Sequence, residues 1–150
     1  MKIQLEPVTV ASRAAVEWLE TAPGQEGFVE SVTECLAEAD RRRCWRPVGV
    51  YDGDALIGFA MYGFFWEYLP FGRLWLDRLL IDRRFQGRGY GRAALAALLE
   101  RLEREYHKKR IYLSVVEANR PAAALYESFG FRFTGERDTH GERVMCLRTR

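Results

Sequence analysis

Apolar residues recur along this chain in two rhythms, and the rhythm changes from one segment to the next. Lys2 to Pro7 reads as a short strand, after which Ala15, Val16 and Leu19 fall on one face of a helix predicted from Ser12 to about Glu20. The run Pro23-Gly24-Gln25-Glu26-Gly27 breaks it. Three- and four-residue spacing of Phe28, Val32, Cys35, Leu36 and Ala39 predicts a second helix from Phe28 to Ala39. Val48–Tyr51 and Ala55–Trp66 flank Asp52-Gly53-Asp54 as a hairpin would. Leu74–Ile81 predicts a buried strand, Arg92–Tyr106 a helix buried through Leu95, Leu98, Leu99 and Leu102, and Ile111–Val116 another strand. Pro121–Phe129 reads as a short helix with proline in its first turn, and Phe131–Arg137 and Val144–Arg148 as a final strand pair. Helices interleaved with strands, plus two hairpin-like pairs, predict an α/β (α+β) layered fold with a mixed, mostly antiparallel sheet flanked by helices.

Composition narrows the classes. At 150 residues the chain suits a single domain over residues 1–150. A net charge of +2, from 23 basic and 21 acidic residues, excludes both a generally basic nucleic-acid coat protein and an acidic solvating tail. The longest apolar stretch, Phe59 to Trp66, is far short of the roughly 20 residues of a membrane-spanning helix. Polar residues at Lys2, Gln4 and Glu6 interrupt any signal-peptide core, and three cysteines (Cys35, Cys44, Cys146) form no C-x-x-C pair. The expectation is a cytoplasmic protein with no disulfide framework. His107 and His140 have no ligand-type residue at metal-binding spacing, so no metal is expected.

The most informative stretch runs from Leu74 to Arg92, where a strand passes through a glycine-spaced turn into a helix. Alternating glycines let backbone approach an anion closely, and the first helical turn offers free N–H donors. Arg78, Arg83, Arg84, Arg88 and Arg92 stand against Asp82 alone, a local charge of +4 where a polyanion could dock. Gly91 is followed by Arg92-Ala93 and not by the Lys-Ser/Thr of a P-loop, and glycines two apart do not make a dinucleotide fingerprint.

Gln86-Gly87-Arg88-Gly89-Tyr90-Gly91 resembles the Q/R-x-x-G-x-G/A acetyl-CoA motif of the GNAT superfamily of N-acetyltransferases. A second motif of that family is matched by Asn119-Arg120-Pro121-Ala122-Ala123-Ala124-Leu125-Tyr126-Glu127-Ser128-Phe129-Gly130-Phe131. More narrowly, Pro47–Val50, Gly58–Gly63, Trp75–Arg78 and Lys109–Ser114 make the chain similar to bacterial spermine/spermidine (diamine) N-acetyltransferases over nearly its whole length. The resemblance implies the GNAT acyl-CoA N-acyltransferase fold, with a sheet that splays between the strand ending at Ile81 and the strand Ile111–Val116. It implies acetyl-CoA as cosubstrate, its pantetheine arm beside the backbone of Leu79, Leu80 and Ile81 and its pyrophosphate on Gln86, Gly87, Arg88, Gly89, Tyr90 and Gly91. Asn119 would touch the pantetheine, and Tyr126 would lie by the thioester sulfur. The family also implies a homodimer.

The implied reaction is attack of a primary amine on an acetyl carbonyl. An amine of lysine-like pKa near 10.4 is only about 0.04% neutral at pH 7, a deficit of roughly 4.6 kcal/mol, so a proton must be taken from it. A departing thiolate of pKa near 8.5 gains from a proton donor, and a tyrosine of pKa about 10 is still protonated at neutral pH. Tyr126 is assigned that role, against the alternative of an aromatic core residue. Asp77 interrupts an apolar strand; alternation puts it on one face with Leu79 and Ile81, and a carboxylate there in the resembling polyamine acetyltransferases contacts or deprotonates the amine. Its alternative is an ion pair with Arg78. Some protein-acetylating relatives carry glutamate five residues before the motif asparagine, where this chain has Ser114, which weakens a protein substrate.

Glu26, Glu30, Glu34 and Glu38 recur every fourth residue, an unfavourable helical pattern that a polycation or Arg41, Arg42 and Arg43 would relieve. Glu30, Glu34, Glu67, Tyr68 and Asp77 are therefore the candidate substrate-binding residues; Trp66 is expected to be buried, with cation–π attraction as the other possibility. The sequence reads as an acetyl-CoA-dependent acetyltransferase of a polyamine or diamine such as spermidine or spermine. The alternatives are the same fold acting on an antibiotic or amino acid, or a non-catalytic CoA-binding or nucleic-acid-binding module. No nucleic-acid or membrane partner is expected.

Overall fold

Apolar side chains on both faces of the central strands require cover on both sides of the sheet. A computed structural model describes residues 1–20 and 31–149. Among them are strands β1 (Ile3–Pro7), β2 (Trp45–Asp52), β3 (Ala55–Phe65), β4 (Arg73–Ile81), β5 (Arg110–Val115), β6 (Arg132–Arg137) and β7 (Arg143–Arg148). The helices are α1 (Val10–Glu17), α2 (Val32–Arg41), α3 (Tyr90–Tyr106) and α4 (Arg120–Ser128). The strands form one sheet in the order β1-β2-β3-β4-β5-β7-β6, and every neighbouring pair is antiparallel except β4 and β5. On one face Val50, Ala60, Tyr62, Leu74 and Leu76 pack with Leu95, Leu98 and Leu102 of α3. On the other, Phe59, Met61, Phe65 and Leu80 pack with Val16, Val32, Cys35 and Leu36 of α1 and α2.

Local chemistry moves two helix starts from their predicted places. α1 begins at Val10 because Thr9 caps it: Thr9 Oγ1 accepts from the Ser12 N–H at 3.3 Å, and Ser12 Oγ accepts from the Thr9 N–H at 2.9 Å. The helix ends at Glu17, three residues before the predicted limit. α2 starts at Val32 behind its cap Ser31, whose Oγ accepts from the Glu34 N–H at 3.1 Å. Phe28, Glu26 and Glu30 lie outside the described residues, so the four-glutamate ridge is represented here by Glu34 and Glu38.

The centre of the sheet is irregular in two places. β4 and β5 pair only at Leu74↔Ile111 and Trp75↔Tyr112, and from Leu76 onward β4 has no register partner on that side. This is the splay that the family resemblance implies. On its other edge β4 carries a bulge: Met61 opposes Arg78 and Tyr62 opposes Leu76, which leaves Asp77 without an opposite residue on β3. An extra residue reverses the alternation beyond it. Leu74 and Leu76 therefore share the α3 side with Leu79 and Ile81, while Trp75 and Leu80 face α1 and α2. Simple alternation had put Asp77 with Leu79 and Ile81; the bulge separates them.

At the end of β4, Asp82 is 2% exposed and fully engaged. Its Oδ1 accepts from the Glu20 N–H at 2.9 Å, and its Oδ2 accepts from Arg84 Nε at 2.7 Å and the Arg84 N–H at 3.3 Å. Burial alone would raise this carboxyl, but the Arg84 and backbone hydrogen bonds outweigh it and hold the pKa below the usual carboxylate value. A depressed folded-state pKa gives stability that is present above the unfolded pKa of about 3.9 and is lost as pH falls through the folded value. Asp82→Ala should lower stability by roughly 2–3 kcal/mol near neutrality, through lost charged hydrogen bonds and unsatisfied donors. Denaturant midpoints should show that difference shrinking below about pH 4; a gap independent of pH would contradict the ionised role.

Candidate active site

Two cavities open on either side of the second half of β4. The first, of about 280 Å³, lies where β4 and β5 part. Leu79, Leu80, Ile81, Gln86, Gly87, Gly89, Tyr90, Gly91, Asn119 and Tyr126, all predicted from sequence to hold one ligand, line this cleft. Arg88 is the predicted residue that does not; it is exposed, with its guanidinium 5.8 Å above the Phe85 ring. Phe85, Pro121, Ala122 and Leu125 complete the wall; the last three lie within the second family motif, yet sequence reading assigned none of the four to the ligand.

Backbone shape explains the glycines. Gly87 (φ +78°) and Gly89 (φ +84°) are left-handed, and Gly89 turns the chain into α3 with no side-chain cap and no acid in the first turn. The positive end of a 17-residue helix thus faces the cleft through unencumbered N–H groups. Gln86 Nε2 donates to the Ile81 carbonyl at 3.0 Å and fixes the loop to β4. The Tyr90 hydroxyl donates to Asp52 Oδ2 at 2.5 Å, a bond that lowers the Asp52 pKa and raises that of Tyr90. Asn119 caps α4, its Oδ1 accepting from the Ala122 N–H at 3.4 Å.

The arginine cluster is divided by its partners. Arg83 meets Glu20 at 3.2 Å, Arg84 meets Asp82 at 2.7 Å, and Arg78 lies in the second cavity. Arg88 and Arg92 remain near the start of α3, with Arg92 Nη2 donating to Ser128 Oγ at 3.1 Å. The full +4 read from the sequence is not presented to the cleft. Tyr126 brings its ring against Phe131 at 5.9 Å, and burial pushes its hydroxyl pKa up to about 12 against an opposing pull from the Arg78 charge. It is a protonated donor at any physiological pH.

The second cavity, of about 250 Å³, joins six parts of the chain, two of them through single residues, Trp45 of β2 and Ser114 of β5. β4 supplies Trp75, Asp77 and Arg78; the end of β3 and the following loop supply Phe65, Glu67 and Tyr68; Glu38 and Arg42 come from α2 and its end; and the β6–β7 turn adds Asp138, Thr139, His140 and Glu142. Five carboxylates thus face two guanidiniums, with aromatic walls. The bulge is the reason Asp77 and its chain neighbour Arg78 both reach this cavity. Arg78 Nη1 donates to the Asp77 carbonyl at 2.8 Å and lies 3.9 Å from Asp77 Oδ1, so the ion pair weighed as an alternative for Asp77 is present as well.

Of the predicted substrate residues, Glu67, Tyr68 and Asp77 come together here, and Glu34 does not. Glu34 is exposed at the start of α2, where Ser31 Oγ donates to its carboxylate at 3.0 Å; of the two described members of the ridge, Glu38, one turn on, is the one that reaches the cavity. The Glu67 carboxylate is gripped by Arg42 through bonds of 2.8 and 3.2 Å, which lower its pKa. Trp66 is not buried: it is 69% exposed, with Lys108 Nζ 5.3 Å over its ring. The β6–β7 turn went unread because its membership depends on tertiary approach. Asp138 Oδ1 accepts from the N–H groups of His140 and Glu142, both at 2.9 Å, and so shapes the turn that presents them. Among the described residues no cluster of His, Cys, Asp or Glu could hold a metal ion.

A parted parallel strand pair, a glycine turn on a helix start and a tyrosine across the cleft are the arrangement that the resemblance to N-acetyltransferases implies. Residues 13–131 match the Acetyltransferase (GNAT) family, and the chain belongs to that family. It is 46% identical over 148 residues to the spermine/spermidine N(1)-acetyltransferase of Bacillus subtilis strain 168, covering 97% of each chain. Its fold is similar to aminoglycoside acetyltransferase AAC(6')-Ib in complex with coenzyme A (TM-score 0.81, 21% identity, 98% and 95% of the two chains). It is also similar to spermidine N-acetyltransferase from Vibrio cholerae in complex with CoA and spermine (TM-score 0.74, 19% identity, 98% and 95%).

The two glycine positions separate by experiment. Gly89→Ala places a Cβ at a left-handed residue and should cost about 1–2 kcal/mol. Gly91→Ala sits in the first turn of α3, with its Cβ in ordinary contact 3.8 Å from Leu125, and should be neutral or stabilising by up to about 1 kcal/mol. Equal effects on thermal unfolding would refute this reading of the turn.

Proposed function

We propose that the chain transfers the acetyl group of acetyl-CoA to a primary amine of a polyamine such as spermidine or spermine. The observation that carries the reading is the pairing of an anion-suited glycine-loop cleft with an acid- and aromatic-lined cavity on the two sides of β4. The relatives named above support the substrate class. Acetyl-CoA would supply an acetyl group activated as a thioester. The backbone of Leu79, Leu80 and Ile81 would hold its pantetheine, which the open edge of β4 suits. The loop from Gln86 to Gly91, with Arg88 at its exterior, would hold the pyrophosphate at the α3 N-terminus, and Asn119 would border the arm.

On the amine side, Asp77 would accept or orient the amine proton, and Glu38, Glu67, Tyr68 and Glu142 would attract the remaining ammonium groups. On the cofactor side, the Tyr126 hydroxyl would give its proton to the departing sulfur. With a pKa pushed up to about 12 it is protonated before transfer, although burial also makes it a weaker acid than a free tyrosine. In atoms, the amine nitrogen gains an acetyl carbon and loses a proton, and the sulfur gains one. The reading further carries a cytoplasmic homodimer, for which light scattering should give twice the mass of the chain; a monomer would refute that part alone.

Release of CoA thiol should be measured against spermidine, spermine, putrescine, aminoglycosides, amino acids and lysine peptides. Turnover of polyamines over the rest is expected; turnover of another amine alone would replace the substrate, and nucleic-acid binding without turnover would replace the activity. Tyr126→Phe should reduce kcat by about 100-fold or more while CoA affinity changes little. Unchanged kcat would remove the general-acid role.

A further inference from the structure

The loop between β3 and β4 faces two ways. Glu67 and Tyr68 line the amine cavity, while Trp66, Leu69 and Phe71 are 69%, 86% and 79% exposed. The tip is a closed turn, in which the Leu69 N–H donates to the Glu67 carbonyl at 3.1 Å and the Gly72 N–H to the Tyr68 carbonyl at 2.7 Å. Three large apolar side chains within six residues present roughly 400 Å² to solvent, the size at which a patch on a monomer marks an interaction site. The proposed reaction makes no use of them.

Charge at the same end of the sheet has one sign. Lys108 Nζ lies 4.6 Å over the Phe64 ring and 5.3 Å over that of Trp66, and Lys109 and Arg110 follow it into β5. Arg110 stands opposite Arg148 of β7, one row beyond the Leu74↔Ile111 pair, and both are exposed. Like charges directly opposite on neighbouring strands are unfavourable, and an anion would relieve them. Arg43 is exposed just before β2, whose first residue Trp45 pairs with Gly63 near the end of β3. Arg43, Lys108, Lys109, Arg110 and Arg148 make no salt bridge among the described residues. Glu67 is taken by Arg42, Glu136 by Arg73 and Glu105 by Tyr62 and Arg101. Glu103, in the last turn of α3, is set against five such cations.

We propose that this end of the molecule is a peripheral docking surface for an anionic membrane: Leu69 and Phe71 enter the acyl boundary, Trp66 lies at headgroup level, and the surrounding cations meet the lipid phosphates. Apolar insertion and attraction to anionic lipid are the two contributions to interfacial binding, and indole rings favour that boundary. Among the described residues no helix is long and apolar enough to cross a membrane, so the contact is from one side. Other occupants fit this face less well. A second copy meeting it across a two-fold axis would set the same cations against one another. A nucleic-acid strand would use the arginines and rings and leave Leu69 in water. The inference goes beyond the proposed activity and does not depend on it. Where both hold, the loop that lines the amine cavity also touches a surface at which polycations collect.

Co-sedimentation should be measured with vesicles of phosphatidylcholine alone and of phosphatidylcholine mixed with phosphatidylglycerol, at ionic strengths of about 0.05 and 0.5 M. The protein should bind the mixed vesicles, more weakly at high salt, and leave the neutral ones. The double variant Leu69→Ser/Phe71→Ser should weaken binding by about tenfold or more. Lys109→Gln/Arg110→Gln should weaken it by about fivefold for each charge removed. All four side chains are exposed, so both variants should keep the thermal midpoint of the wild type. Lipids brominated near the headgroup should quench tryptophan fluorescence in the wild type and much less in Trp66→Phe. Absence of binding to the mixed vesicles overturns the proposal, as does binding that the double serine variant retains in full, since charge alone would then account for it. A dimer that the double serine variant splits, seen by light scattering, gives the face to a second copy and overturns it as well. Binding of single-stranded DNA in place of the vesicles does the same in favour of a nucleic acid.

Discussion

The parting of β4 from β5 after two paired residues is the constraint on which the rest of the molecule depends. A strand in the middle of a sheet with one edge unpaired leaves backbone N–H and C=O groups that must find other partners. Gln86 meets one of them at the Ile81 carbonyl. The others border a cleft walled by α4, through Leu125 and Tyr126, and by the turn into α3. An extended ligand with amides of its own completes such an edge, as an added strand would. Asp82 binds the end of β4 to Glu20 and Arg84, so the glycine turn leaves the sheet from a fixed point.

Charge is arranged to match this geometry more sparingly than a count of arginines suggests. Arg83 and Arg84 are consumed by Glu20 and Asp82, and their contribution is to placement of the loop. What remains for an anion is the α3 N-terminus, with Arg88 and Arg92 nearby. Fixed N–H groups specify where an anion sits, whereas exposed arginines raise its local concentration with a force that salt screens. On the opposite side of β4 the excess is negative. The net charge of +2 over the whole chain therefore describes neither cavity.

How much of this could be read from the sequence depends on whether a feature is local. The glycine turn, the buried stripe of α3 and the proline start of α4 follow from neighbours in the chain, and nearly all the residues assigned to the cleft line it. The side assigned to Asp77 was wrong because a bulge is a property of two strands, and nothing in Leu76-Asp77-Arg78 announces that Met61 and Tyr62 will accommodate one residue too many. Glu34 lies outside the cavity for a local reason: Ser31 caps α2 and donates to the Glu34 carboxylate in the first turn, while Glu38, one turn on, lines the cavity. The Asp138–Glu142 turn was invisible as a wall because its place beside Asp77 follows from β7 pairing with β5. Trp66 shows the limit of composition, since an aromatic beside a buried strand end can still project into solvent and meet Lys108.

The bulge and the splay serve one end together. The splay gives one side of β4 an open backbone edge, and the bulge gives the other side two consecutive polar side chains. Without the extra residue, Asp77 and Arg78 would point to opposite faces, one of them into apolar packing against α3. That would bury a charge at a cost of several kcal/mol unless it were paired. With it, both polar groups meet the amine cavity, and Leu79 and Ile81 recover the apolar face they need. A single inserted position thus reconciles the demands of the core with those of the chemistry, and it does so at the one stretch of strand that borders both cavities.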